Sequence, residues 1–212
     1  MTKLKPTKTF KEVLECWDET ESPSVVSVTG MESPEVVVVS QVQSGSGQPI
    51  TPKTLDPGIV SALESRLKDE YTAHLIYKNA ANWCKNVGYV KAAAFFEAEA
   101  ADELTHAQKL QDFMTQWNVL PQIPVSTVPN TLKSLVDCVN SAYTFEYNLL
   151  QSYSQIQLEV DGSNPATFNF IQEFVDTQNH SVGVFSDLLN ALVLIDYNNK
   201  LDLLMFEDKY FG

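Results

Sequence analysis

The chain has 212 residues, enough for one domain of ordinary size with a segment to spare. Its 44% hydrophobic and 19% charged residues are globular composition, and no stretch approaches the ~18 consecutive apolar residues that cross a membrane. A formal net charge of −13 argues against nucleic acid and anionic membranes as partners, since phosphate needs a cationic surface, and is compatible with a protein that attracts metal cations.

Cys16, Cys84 and Cys138 are an odd, widely spaced set without a CxxC pair, so they build neither a disulfide framework nor a zinc knuckle. A reducing compartment follows, and a cytoplasmic location is expected. Lysines at 3, 5, 8 and 11 are followed by acids and by no apolar run, unlike a secretory or transit signal.

Residues 1–54 are rich in Ser, Thr, Pro and Val. A short amphipathic helix fits 10–18, the valine runs 25–28 and 36–39 can pair as a hairpin, and 44–54 read as a linker. This region is expected to be an N-terminal extension, a flexible tail or a small hairpin, open to a protein partner. The remainder, 55–212, reads as one helical domain.

Asp56-Pro57 is an N-cap followed by proline at the first helical position, which opens a first helix running to about Asn86, with Gly88 as its stop. Ile59, Leu63, Leu67, Tyr71, Leu75 and Ala81 give that helix an apolar stripe. A second helix spans about Tyr89–Trp117. Pro121, Pro124 and Pro129 then forbid helix and predict an extended connection. A third helix covers about Thr131–Glu159 and ends at Asp161-Gly162; a fourth runs from Asn164-Pro165 to about Leu194. Lys200–Lys209 forms a short fifth helix. Short loops make antiparallel hairpins of helices 1–2 and 3–4. The proline-spaced segment, at ~3.1 Å per extended residue, can run most of the length of a long helix. The predicted fold is all-α, a four-helix bundle with one long crossover and a short C-terminal fifth helix.

Polar residues fall on the apolar faces of this bundle. Glu103-x-x-His106 sets a carboxylate and an imidazole on one face of helix 2, within reach of a single metal ion. Helix 1 offers Glu70 with Tyr77 nearly in line, helix 3 offers Glu146 among aromatic residues, and helix 4 offers Gln178. Alone, Glu-x-x-His arises by chance on acidic helices, a single glutamate is usually solvated, and Tyr77 fits core packing. His74 and His180 read as surface or supporting histidines. Together, one glutamate from each of two helices plus Glu-x-x-His from a third is most of a dinuclear iron site. Oxygen donors with one imidazole hold iron in both oxidation states and leave positions open for dioxygen. Glu103, beside the histidine, is the natural bridge between two ions.

The chain resembles the non-haem ferritins, most closely the bacterial type, over about residues 55–210. The resemblance is carried by Glu70 through Tyr77 to Asn82-Trp83-Cys84, by Ala94-Phe95 through Asp102-Glu-Leu-Thr-His106, by Glu146, by Thr167 to Gln172, by Gln178, and by Leu203 to Lys209. It implies a first iron on Glu70, Glu103 and His106 with Glu103 bridging, a second iron on Glu146, and Gln178 beside it through a bound water. Tyr77 would hydrogen-bond a ligand or supply an electron. The implied activity is ferroxidase: dioxygen oxidises two Fe(II), and Fe(III) mineral is stored inside a homo-oligomeric shell of 24 subunits. Departures are informative. Ser181 stands where bacterial ferritins often carry a third-site glutamate, Leu104 stands where bacterioferritins bind haem through methionine, and Asn164 and Thr167 replace acids that often line an entry pore. No haem is expected. The rival readings are another di-iron enzyme on the same bundle, a peroxidase or oxygenase, and a structural bundle that merely carries the tail.

Overall fold

In a computed structural model, residues 51–212 are described. The expected short helix, hairpin and most of the linker fall outside them. The order is α1 (Pro57–Val87), α2 (Val90–Gln116), α3 (Leu135–Val160), α4 (Pro165–Leu192) and α5 (Lys200–Tyr210). The four long helices, the crossover and the fifth helix are as expected from periodicity and punctuation.

Local chemistry explains the boundaries. Pro57 occupies the first turn of α1, where no donor is lost, and Gly88 ends that helix at φ 98°, a conformation that disfavours any side chain. The third helix starts at Leu135 rather than Thr131. Ser134 is the reason: its side chain accepts from Asp137 N at 3.0 Å and fixes the N-cap there. Asn164 likewise caps α4 by accepting from Thr167 N at 3.0 Å.

The crossover lies along α1. Thr72 Oγ1 meets Ser126 Oγ at 3.2 Å, and Asn79 Nδ2 donates to Val128 O at 3.1 Å, so the connection runs in the direction of α1 and delivers α3 antiparallel to it. Helices α1–α2, α3–α4 and α1–α3 pack against one another, and α5 rests on α2 and α4. The docking of α5 has a specific basis. The Tyr89 side chain makes no cap bond at the start of α2; instead Glu207 of α5, buried, accepts from Lys91 N at 2.7 Å and Ala92 N at 3.2 Å. A carboxylate brought in from another helix thus satisfies the positive end of α2.

The core is in two parts. One contains Leu63, Leu67, Leu110, Tyr153, Ile171 and Phe174; the other contains Tyr77, Cys84, Phe96, Cys138, Phe185 and Phe206. Between them each long helix contributes one buried polar residue: Glu70, Glu103, Glu146 and Gln178. A polar layer therefore crosses the bundle at one level. Cys84 and Cys138 are free buried thiols, and the hydrogen bond between them together with burial pushes the Cys138 thiol up.

Candidate metal centre

Three carboxyls and an amide in an apolar core demand an explanation, because burying a charge without compensation is costly. Glu70 and Glu146 are fully buried, Glu103 is 3% exposed and Gln178 1% exposed. His106, on α2 one turn beyond Glu103, approaches Glu103 Oε2 at 3.1 Å and Glu70 Oε2 at 3.6 Å. Donor atoms from Glu70, Glu103 and His106 lie within 4.8 Å of one another, a spacing that could hold a metal ion. Glu70 Oε2 is buried and, among the described residues, has no hydrogen-bond partner.

The other side of the layer is saturated. Tyr77 donates to Glu146 Oε1, and Gln178 Nε2 donates to Glu146 Oε2. Gln178 thus touches Glu146 directly. The Tyr77 ring packs against Phe96 and Phe185, with centroids 6.2 and 5.8 Å away, and those two rings are 6.4 Å from each other, so the three form a triangle.

Electrostatics follow from crowding acids away from water. Burial pushes the Glu103 carboxyl well above the usual carboxylate range; its bond to His106 lowers it and neighbouring Glu70 raises it again. Glu146 is raised by burial against the opposing bonds from Tyr77 and Gln178. Burial works against a charged His106, but its bond to Glu103 and the nearby Glu103 and Glu70 charges outweigh that and push it up to about 10. In the metal-free protein an imidazolium is the local counter-charge. A divalent cation would supply more charge to the same atoms and give Glu70 Oε2 the partner it lacks.

All six residues expected at the site thus stand in or against one layer, four on separate helices. His180 is exposed, and His74 sits apart with Nδ1 2.6 Å from Ala100 O. Two further residues belong to the layer and are not among those expected. Tyr153, fully buried on α3, donates to Glu70 Oε1. The sequence does carry a signal for it, because Glu146 and Tyr153 repeat the seven-residue spacing of Glu70 and Tyr77. Glu99, half-buried one turn before Glu103, is raised to about 7 by burial and by Glu146 and Asp102. No periodicity distinguishes it from a solvated acid.

Comparison with known proteins shows the family and the fold. The family profile described as the ferritin-like domain matches residues 60–195. The chain belongs to the ferritin family. Its ferritin-like domain is 28% identical over 142 residues to a bacterial non-heme ferritin of Escherichia coli O6:H1, covering 66% of this chain and 86% of that one. Against a bacterial non-heme ferritin of Campylobacter jejuni it is 26% identical over 152 residues, covering 70% and 91%. Among solved structures, an open-pore ferritin from the hyperthermophilic archaeon Archaeoglobus fulgidus shares the fold. Its TM-score is 0.67 at 21% identity, over 74% of this chain and 98% of that one.

Proposed function

We propose that this ferritin-family protein is a ferroxidase that stores iron, oxidising Fe(II) with dioxygen inside the bundle and depositing Fe(III) in a hollow homo-oligomeric shell. The observation that carries the reading is the polar layer, above all the unpartnered, buried Glu70 Oε2 facing Glu103 and His106. Such an oxygen is an unfavourable feature of the empty protein that a cation would turn into a favourable one.

In this reading Glu70, Glu103 and His106 hold one Fe(II), Glu103 bridges to a second, and Glu146 with Gln178 receives that second ion. Glu146 must then exchange a bond from Tyr77 or Gln178 for the metal. Tyr77, stacked and hydrogen-bonded to that ligand, stands in line to orient it or donate an electron. Two Fe(II) supply two electrons to dioxygen, which with two protons gives hydrogen peroxide and two Fe(III). A shell would also cover exposed apolar residues that a monomer leaves in water, among them Leu120, Val125, Val193, Leu194 and Met205. Residues 1–54 are assigned an accessory role outside the ferritin-like domain.

The test is aerobic addition of Fe(II) to the apo-protein, following Fe(III) absorbance beside Glu103→Ala, with size-exclusion chromatography of both. Fast oxidation that saturates near two irons per subunit, lost in the variant, in a protein eluting as a shell of about the size expected for 24 copies, supports the reading. Oxidation no faster than in buffer and unchanged by the substitution overturns it.

A further inference from the structure

The two tyrosines of the site are placed alike but act on different carboxylates. On α1, Tyr77 lies seven residues after Glu70; on α3, Tyr153 lies seven residues after Glu146. The helices are antiparallel, so each phenol donates to the glutamate of the other helix, Tyr77 to Glu146 and Tyr153 to Glu70. The outcome differs because of what holds the second oxygen. Glu146 Oε2 is taken by Gln178, whereas Glu70 Oε2 has no hydrogen-bond partner and faces His106 at 3.6 Å. Tyr153 is itself immobilised, fully buried and stacked on Phe174 with ring centroids 4.8 Å apart.

We propose that Tyr153 is a positioning residue that ties up Glu70 Oε1, so that Glu70 offers the metal only Oε2, as a one-oxygen ligand aimed at the position shared with Glu103 and His106. The inference rests on the metal-site reading above and deepens it. A glutamate on a helix can swing through several rotamers and chelate through both oxygens. A donor on the far oxygen removes both freedoms, as outer partners of metal ligands generally do. Phenylalanine would fill the same space and lack only that bond, so the function resides in one hydroxyl.

The experiment is anaerobic titration of the full-length apo-protein with Co(II), read by its visible ligand-field bands, for the wild type and for Tyr153→Phe, Tyr153→Leu and Tyr71→Phe. Tyr71 is a half-buried phenol on α1 that only accepts from Gln111, at 3.4 Å. With Glu70 released to chelate, the first-equivalent Co(II) bands of the Tyr153 variants weaken and shift, since a higher coordination number gives weaker bands, and affinity falls by roughly 10–100-fold. Tyr71→Phe superposes on the wild type. First-equivalent bands of Tyr153→Phe that superpose on the wild type overturn the proposal, whether or not affinity drops, because weaker binding with unchanged geometry is a generic stability effect. Should neither Tyr153 variant fold, the infrared spectrum of Tyr77→Phe with one equivalent of Co(II) decides, since that variant removes the other phenol of the site. A tyrosine C–O stretch that keeps its hydrogen-bonded position on Co(II) binding supports the proposal, and one that moves to the free-phenol position overturns it. Loss of Co(II) binding altogether in the wild type would instead overturn the metal-site reading, and this inference with it.

Discussion

Substituting methionine for Glu103 and for Glu146 should cost the metal-free protein different amounts of stability, although both remove one buried carboxyl from one layer. Glu103 accepts one bond, from His106 Nδ1 at 3.1 Å, and Glu70 Oε2, 3.6 Å from the same nitrogen, is too far to replace it. Glu103→Met therefore orphans one buried donor at about 1–3 kcal/mol, offset in part by the relief of one crowded acid fewer. Glu146 is different, because it accepts from both Tyr77 and Gln178. Glu146→Met orphans two buried donors at about 1–3 kcal/mol each, which outweighs the relief from burying one acid less. For a domain of this size 1 kcal/mol moves Tm by about 2–4 °C. In EDTA, Glu146→Met should therefore melt several degrees below both the wild type and Glu103→Met. Differential scanning calorimetry checks both, and added Co(II) should raise the wild-type Tm while leaving Glu103→Met unmoved. A Glu103→Met that melts at or below Glu146→Met would refute the partner-by-partner account of this layer.

The apo-protein should lose stability as pH rises from about 5 to about 9. Glu103, Glu146 and Glu99 are raised in the folded state, so folding favours their protonated forms, and that advantage is lost as pH climbs from the ordinary carboxylate range through the shifted ones, about 7 for Glu99. His106, raised to about 10, contributes fully below its unfolded value of ~6.5 and fades toward 10, in the same direction. Co(II) should reverse the trend, because metal replaces those protons; an apo Tm that rises across this window contradicts the picture. Glu207→Ala should remove the borrowed cap of α2 and cost about 1–2 kcal/mol. Hydrogen exchange would then show faster amides at Lys91, Ala92 and along α5, while unchanged protection there would argue that apolar contacts alone dock α5.

Much of this protein is legible in its local chemistry. Apolar stripes, Asp56-Pro57, Gly88 and the crossover prolines locate four long helices, and the residue types Glu70, Glu103, His106 and Glu146 suggest the chemistry proposed above. These are properties of a single helix face or a single turn, which a short window of sequence contains. The start of α3 is not legible in this way, because Thr131 and Ser134 are comparable capping residues and only Ser134 finds its N–H. Two facts depend on the tertiary structure. Which tyrosine bonds which glutamate depends on the register of α1 against α3, set by the packing of side chains far apart in the chain. The capping of α2 by Glu207 depends on where α5 comes to rest, more than a hundred residues later. Periodicity assigns a residue to the inside of a helix; only the partner helix determines what it meets there, and so which carboxylate oxygen is left free.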